Sequence, residues 1–183
     1  MSTKKTDYIG LTKKWVERLV IGLNLCPFAK KPFLQGQIRY AVEESDDPKQ
    51  LMHTFLQELL YLASTAAEQT ETTLLIHPNC LINFYDYLDF VAEAEAAIET
   101  SELTGVMQVA SFHPDYQFAG TQPTDAENFT NRSPFPMLHL IREESIEKAL
   151  EHYPDPEEIP KRNIETMNRL GTTGIQKILN QKP

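Results

Sequence analysis

Several features that define common protein classes are scarce in this sequence or missing from it. Its 183 residues include two cysteines, Cys26 and Cys80, and seven glycines. Two cysteines without an export signal favour free thiols over a disulfide. So few glycines leave little room for a phosphate-binding loop, and neither a P-loop, a dinucleotide-binding motif nor a Gly-x-Ser-x-Gly elbow is present. No apolar run approaches the roughly 20 residues of a membrane-spanning helix.

An excess of positive charge is also missing. The formal net charge is −9, so the uniformly basic surface of a nucleic-acid-binding protein is not expected. The first residues, MSTKKTDYIG, are charged but lack the apolar core of a signal peptide. We therefore expect a cytoplasmic protein that binds neither nucleic acid nor membrane and that has a small-molecule ligand as its partner. The sequence identifies no cofactor and no oligomeric state.

The overall composition is typical of a soluble globular protein. Hydrophobic residues make up 41% of the chain and charged residues 23%, and the length fits one domain over residues 1–183. We divide this domain into an N-terminal helix and cysteine loop at 1–33, an α/β core at 37–153 and a C-terminal helical tail at 154–183.

Hydrophobic periodicity and turn residues predict helices that alternate with strands. The predicted strands cover residues 37–42, 73–76, 106–112 and 137–141, and the predicted helices cover 12–23, 47–67, 83–99, 145–153 and 155–171. This alternation indicates a parallel sheet, whereas the last strand follows a loop without a helix and can run antiparallel. We therefore expect an α/β fold with a mixed, mainly parallel sheet of about four strands, flanked by helices, and a long polar loop before the last strand.

Two histidines directly follow predicted strands. His77 and His113 each precede a proline, and if their strands are parallel, both imidazoles lie at the carboxyl edge of the sheet, where ligands bind in open α/β folds. His113 is the candidate general acid/base, since imidazole titrates near neutral pH. Asp115 is a second candidate base, a metal ligand or a turn residue. Alternatively, each histidine caps its strand by a hydrogen bond to a nearby carbonyl.

A polar loop follows the third predicted strand and carries side chains suited to an anion. Asn128, Asn131 and Arg132 lie within five residues, and a guanidinium with two amides can bind a carboxylate or phosphate. The alternative is a loop whose asparagines bond its own backbone. On the last strand, alternation puts His139 and Arg142 on opposite faces, so these two need not share a site.

Cys26 is the candidate nucleophile or redox thiol. It lies in a turn-rich connection after the first helix, beside two lysines whose charge lowers the pKa of a thiol. The C-terminal end of the preceding helix opposes ionisation. The alternative is a small buried hydrophobic residue, which is also our interpretation of Cys80.

Three segments resemble a known family. They are GLNLCPFAK at 22–30, VASFHPDYQFAG at 109–120 and NFTNRSPFPMLHLIRE at 128–143. Together they resemble the bacterial and plant proteins grouped as domain of unknown function 1415, over nearly the whole chain to about Tyr153. The resemblance implies a soluble cytosolic or organellar protein and brings no activity. The positions that match the motifs are Cys26, His113, Asp115, Tyr116, Asn128, Asn131, Arg132, Ser133, His139, Arg142 and Glu143.

These observations lead to one main hypothesis and two alternatives. The main hypothesis is a small-molecule enzyme for a carboxylate or phosphate substrate, whose pocket joins the Cys26 loop, His113 and the loop at 128–133. Its catalytic residues would be His113, Cys26 and Asp115. Its substrate-binding residues would be Arg132, Asn131, Asn128, Tyr116, Ser133, His139 and Arg142. The alternatives are a metal-binding protein, and a non-catalytic binding module that uses the acidic helix at 83–99. The metal ligands would be Cys26, His77, His113 and His139, although no pair has metal-ligand spacing.

Overall fold

The computed structural model describes residues 6–151 and 153–180. The main elements in chain order are α1 (Tyr8–Trp15), a π-helical segment (Val16–Ile21), α2 (Lys30–Leu34), β1 (Ile38–Val42), α3 (Pro48–Ser64), β2 (Thr72–Ile76), α4 (Phe84–Thr100), β3 (Met107–Phe112), a 3₁₀ turn (Ala126–Thr130), β4 (Met137–Arg142), α5 (Glu143–Leu150), a second 3₁₀ turn (Pro156–Glu158) and α6 (Ile159–Asn180). No helix within the described ranges has the length and apolar character needed to cross a bilayer.

All four predicted strands are present, but the prediction of a mainly parallel sheet is wrong. The strand order is β1-β2-β4-β3. β1 and β2 are parallel, whereas β4 is antiparallel to both of its neighbours. The reason is that β4 follows β3 without a crossover helix, so the chain turns back along the sheet. Because β4 lies between β2 and β3, the expected parallel pairing of β2 with β3 is replaced by two antiparallel pairings with β4.

The edge predicted for the two histidines nevertheless forms. Because β4 runs against both β2 and β3, those two strands point the same way, and their C-terminal ends meet at one edge of the sheet. His77 and His113 leave the strands at this edge, and the Tyr87 ring lies between them, with ring centroids 5.8 Å and 5.0 Å away. The predicted proximity of the two histidines is confirmed.

The sheet is covered on both faces, because successive side chains of each strand point to opposite sides. On one face, Leu75, Leu138 and Leu140 pack with α3 and α4. The start of α3 is fixed by Asp47, whose carboxylate accepts the Lys49 N–H, in agreement with the helix predicted from residue 47. The opposite face packs against the N-terminal helices and α6. The candidate site lies on this second face.

The first helix differs from the regular α-helix expected over 12–23. It begins earlier, at Tyr8, because the Asp7 side chain accepts the Gly10 N–H. From Val16 to Ile21 it widens into a π-helix. π-Helical turns inside helices are rare and are frequent at functional sites.

The C-terminal tail also differs from its prediction. The helix expected to end near Gly171 continues to Asn180, and Gly171 marks a break inside it with φ of 62°. A positive φ favours glycine, which has no Cβ to clash with the backbone. The break redirects α6, which packs on the π-helical segment and on the 3₁₀ turn at Ala126–Thr130.

Candidate functional site

His113, the predicted general acid/base, has both ring nitrogens engaged. Nε2 donates to the Leu81 carbonyl at 3.1 Å, and Nδ1 accepts the Asp115 N–H at 3.0 Å. The side chain is 1% exposed, and burial lowers the pKa of His113 below its ordinary value. This geometry matches the alternative interpretation, in which the histidine caps the end of its strand.

His77 at the same edge is engaged on one side only. Nδ1 donates to the Cys80 carbonyl at 3.0 Å, while Nε2 is buried and has no hydrogen-bond partner among the described residues. Burial lowers the pKa of His77 to about 4. The Tyr87 hydroxyl beside it joins two strands, because it donates to the Met137 carbonyl and accepts the Phe112 N–H, both at 2.8 Å. The edge is thus mainly a structural junction.

The polar loop is held largely by its own backbone. Asn128 is fully buried; its Oδ1 accepts the Phe118 N–H at 3.0 Å, and its Nδ2 donates to the Gln122 carbonyl. Asn131 Nδ2 donates to the Ser111 carbonyl, which ties the loop to β3. Asn128 therefore follows the alternative interpretation of a self-bonded loop, whereas Asn131 anchors the loop to the sheet.

The other predicted ligand-binding residues of this region also bond locally. The Ser133 hydroxyl donates to the Phe135 carbonyl at 2.6 Å. The Tyr116 ring packs against Phe84, with centroids 5.2 Å apart. Asp115 is exposed and acts electrostatically on the Arg132 guanidinium. The contacts of these side chains with neighbouring residues give them a role in holding the loop in place.

His139 and Arg142 point to opposite faces of the sheet, as the alternation predicted. Arg142 Nη2 donates to the Leu62 and Thr65 carbonyls at 2.7 and 2.5 Å, at the C-terminal end of α3. A cation is favourable there, because the last carbonyls of a helix lack partners and carry partial negative charge. His139 faces the other way, into an apolar hollow.

That hollow, called the apolar cavity below, lies between the sheet and the N-terminal helices. Its volume is about 260 Å³. Its apolar walls include Trp15, Val20, Phe28, Leu74, Phe112 and Ile146, and its polar groups come from Cys26, Glu71, Thr72 and His139. Residues from all four strands, four helical segments and two connections thus meet around one space. A mostly apolar hollow with a few polar groups is the usual form of a small-molecule site.

The hydrogen bonds of His139 fix its tautomer. The Thr72 hydroxyl donates to the Leu140 carbonyl at 2.5 Å, so it accepts from His139 Nε2 at 2.7 Å. Nε2 therefore carries the proton, and Nδ1 is an acceptor that bonds to no described residue. Burial lowers the pKa of His139 to about 4. At neutral pH the imidazole is therefore uncharged and its Nδ1 has no described partner, while the surface that lines the cavity is almost wholly apolar.

Cys26 is the second chemical group of the apolar cavity. The backbone N–H groups of Phe28 and Ala29 act to lower the pKa of the thiol, but burial is the larger effect and raises it. The cysteine is therefore protonated at neutral pH. Both cysteines of the chain are free thiols, and Cys80 is 1% exposed.

A second hollow, called the basic cleft below, lies on the other side of Trp15. Its volume is about 280 Å³. The residues that line it are Leu11, Lys14, Trp15, Pro114, Phe129, Arg132, Ser133, Pro134, Leu179 and Asn180. It contains two cations, and none of its described lining residues is acidic. Trp15 belongs to both hollows, and its Nε1 donates to the Arg132 carbonyl at 3.0 Å.

The structure thus divides the residues that the sequence grouped into one pocket. Cys26 and His139 share the apolar cavity, Arg132 lines the basic cleft, and His113 lines neither hollow. No three His, Cys, Asp or Glu side chains in the described parts of the chain are arranged to hold a metal ion. The metal-binding alternative therefore has no support from the geometry.

Sequence reasoning missed two residues that matter here. They are Lys14 and Trp15, neighbours on α1, and neither is among the site residues predicted from the sequence. The single tryptophan of the chain, next to a lysine on the same helix, was the available signal. It could not be interpreted without knowing that two hollows flank this helix.

Comparison with known proteins gives one match. A family model described as "Protein of unknown function (DUF1415)" matches residues 7–177. No curated protein and no solved structure is similar enough to count as a match. The matched range includes the residues that line both hollows, apart from Leu179 and Asn180 of the basic cleft.

Proposed function

The chain belongs to the DUF1415 family, and from that premise we propose that it binds a compact, mainly apolar small molecule in the apolar cavity. The observation that carries this proposal is the cavity itself. The hollow is partly open to the surface and its walls are almost wholly apolar, and an apolar cavity of roughly 150 Å³ is enough to hold benzene. A space of about 260 Å³ fits a ring with a short side chain.

The polar groups of the cavity define how such a ligand would be oriented. The Nδ1 lone pair of His139 would accept a hydrogen bond, so a hydroxyl or amino group on the ligand suits that wall. Thr72 fixes the His139 ring through its 2.7 Å contact, which preorganises this acceptor. The cavity supports a ligand that is apolar over most of its surface and donates one hydrogen bond.

A chemical step, if the protein catalyses one, would use the groups that share the cavity. Cys26 remains our candidate nucleophile, and His139 replaces His113 as the candidate base. The free His139 Nδ1 would take the thiol proton as the sulfur adds to a doubly bonded electrophilic carbon of the ligand. The π electrons of that double bond would move to its second atom, which would then take the proton back from Nδ1. Burial lowers the pKa of the imidazole and raises the pKa of the thiol. A resting thiolate–imidazolium pair is therefore disfavoured, and the proton would move only as the carbon–sulfur bond forms.

Ligand binding can be tested with toluene and the full chain, because Trp15 is the single tryptophan and lines the cavity. We expect saturable changes in its fluorescence and a raised thermal midpoint. Ala110 on β3 also lines the cavity, and Ala110→Leu would fill part of the space. This variant should lose toluene binding while its free energy of unfolding stays equal or rises by up to about 2 kcal/mol, since each buried methylene adds about 0.8 kcal/mol.

The matched control is Ala96→Leu, because Ala96 is exposed on α4. It adds the same three carbons away from the cavity and should bind toluene like the wild type. Absence of toluene binding in the wild type, or full binding by a folded Ala110→Leu variant, would contradict the proposal.

A further inference from the structure

The basic cleft stands out in a chain with a net charge of −9. Some cations elsewhere pair with carboxylates, for example Arg39 with Glu58 at 2.6 Å and Lys161 with Glu158 at 3.3 Å. Lys14 and Arg132 form no ion pair with any residue that the structure describes. Asp115 acts electrostatically on Arg132 but does not line the cleft, so the lining residues with a charge are both cations.

Arg132 is held rigidly in the cleft. Its Nε donates to the Tyr116 carbonyl at 3.0 Å, and its Nη2 donates to the Pro123 carbonyl at 2.7 Å. The guanidinium also lies over the Phe129 ring, 4.9 Å from the centroid. These contacts leave Nη1 without a hydrogen-bond partner in the described part of the chain. A donor held in place costs little conformational entropy when a ligand binds.

Lys14 supplies the second charge from another part of the chain. It lies on α1, is half-buried and makes no hydrogen bond with a described residue. The walls between the two cations are apolar, with Trp15, Phe129 and Pro134. The cleft therefore offers charge for an anionic group and aromatic or proline surface for an apolar body.

We infer that the basic cleft is a binding site for a small organic oxyanion, a carboxylate or a phosphate monoester that carries an aromatic or aliphatic group. Arg132 Nη1 and Lys14 Nζ donate to the oxyanion, and the apolar walls contact the attached group. Charged hydrogen bonds of this kind are stronger than neutral ones. The site is independent of the proposed apolar cavity, although Trp15 forms a wall of both.

The test uses the full chain with benzoate and phenyl phosphate as probes, and Trp15 fluorescence and thermal midpoint as readouts. We expect saturable binding of at least one probe, and the tighter one identifies the preferred oxyanion. Lys14→Gln should weaken binding about tenfold or more, since a charged hydrogen bond contributes about 1.5–3 kcal/mol. About 0.5 M NaCl should also weaken binding, because salt screens exposed charges.

Lys13→Gln is the matched control, because Lys13 is the adjacent residue on α1 but lies over the Tyr40 ring, 5.2 Å from its centroid. It removes the same net charge and should change affinity by less than about twofold, as expected for a charge that is not in contact. Ala110→Leu, which fills the apolar cavity, should bind both probes normally, so failure of the proposed function would not be mistaken for failure of this site. Equal affinities of the two lysine variants, loss of binding in Ala110→Leu, or no binding in the wild type would overturn the inference.

Discussion

Lowering the pH from 7 to 5 should strongly destabilise this protein through its buried histidines. Burial lowers the pKa of His77 and of His139 to about 4, whereas an unfolded histidine titrates near 6.5. Between these values the unfolded chain binds more protons than the folded one. The free energy of unfolding therefore rises with pH in this window and falls as the solution is acidified.

The magnitude follows from the same two residues. Each contributes up to about 1.4 kcal/mol per pH unit below about pH 6.5. At pH 5 the two together cost at most about 4 kcal/mol, a large part of the 5–15 kcal/mol typical of a domain. His113 acts in the same direction, because burial lowers its pKa as well. Carboxylates with a lowered pKa, such as Glu43, also lose their stabilising effect on acidification. That loss begins only nearer pH 4, where the unfolded carboxylates take up protons.

Urea denaturation at several pH values between 7 and 5, followed by Trp15 fluorescence, measures this slope. His139→Gln keeps a donor for Thr72 but removes the titrating ring, so the slope should fall by up to about 1.4 kcal/mol per pH unit. His53 is exposed on α3, and His53→Gln is the control. A stability that does not change between pH 7 and 5, or a wild-type slope in His139→Gln, would refute the assignment of buried, uncharged imidazoles.

Two further predictions concern the sheet edge and the thiols. Tyr87→Phe should lower the free energy of unfolding by about 2 kcal/mol in chemical denaturation, because it leaves one strand N–H and one carbonyl without a partner. The control is Tyr85→Phe, at a residue that is 72% exposed on the same helix, which should cost under about 0.5 kcal/mol. Equal effects of the two variants would contradict the structural role of the Tyr87 hydroxyl. In native protein, iodoacetamide should modify Cys26 before Cys80, since the first lines a cavity and the second is 1% exposed. Peptide mass spectrometry, with and without toluene, measures the rate at which each cysteine is modified. Faster modification of Cys80 than of Cys26 would argue against an accessible cavity.

Local sequence signals predicted the positions of the strands well but not their arrangement. Alternation along Met137–Arg142 correctly separated His139 from Arg142, because that pattern depends only on the strand itself. The position of this strand between β2 and β3 depends on pairing energies between distant segments, which periodicity does not contain. The alternation of strands and helices alone therefore led to the prediction of a mainly parallel sheet.

The candidate site was predictable only in part. Cys26 and His139 were both singled out from the sequence, but not as neighbours around one cavity. Apolar residues such as Val20 and Phe112 look the same in a sequence whether they fill a core or enclose a space. The fully bonded state of Asn128 likewise depends on loop geometry that no spacing rule predicts.

The central position of β4 bears on how the chain acquires its structure during synthesis. β1 and β2 pair with each other, but neither bonds to β3, so a nascent chain that ends before Met137 contains a two-stranded parallel pair and a separate third strand. A two-stranded unit is marginal in water. The ribosome must therefore release about three quarters of the polypeptide before the sheet can close, and until then the apolar faces of these strands are surfaces on which a chaperone can act.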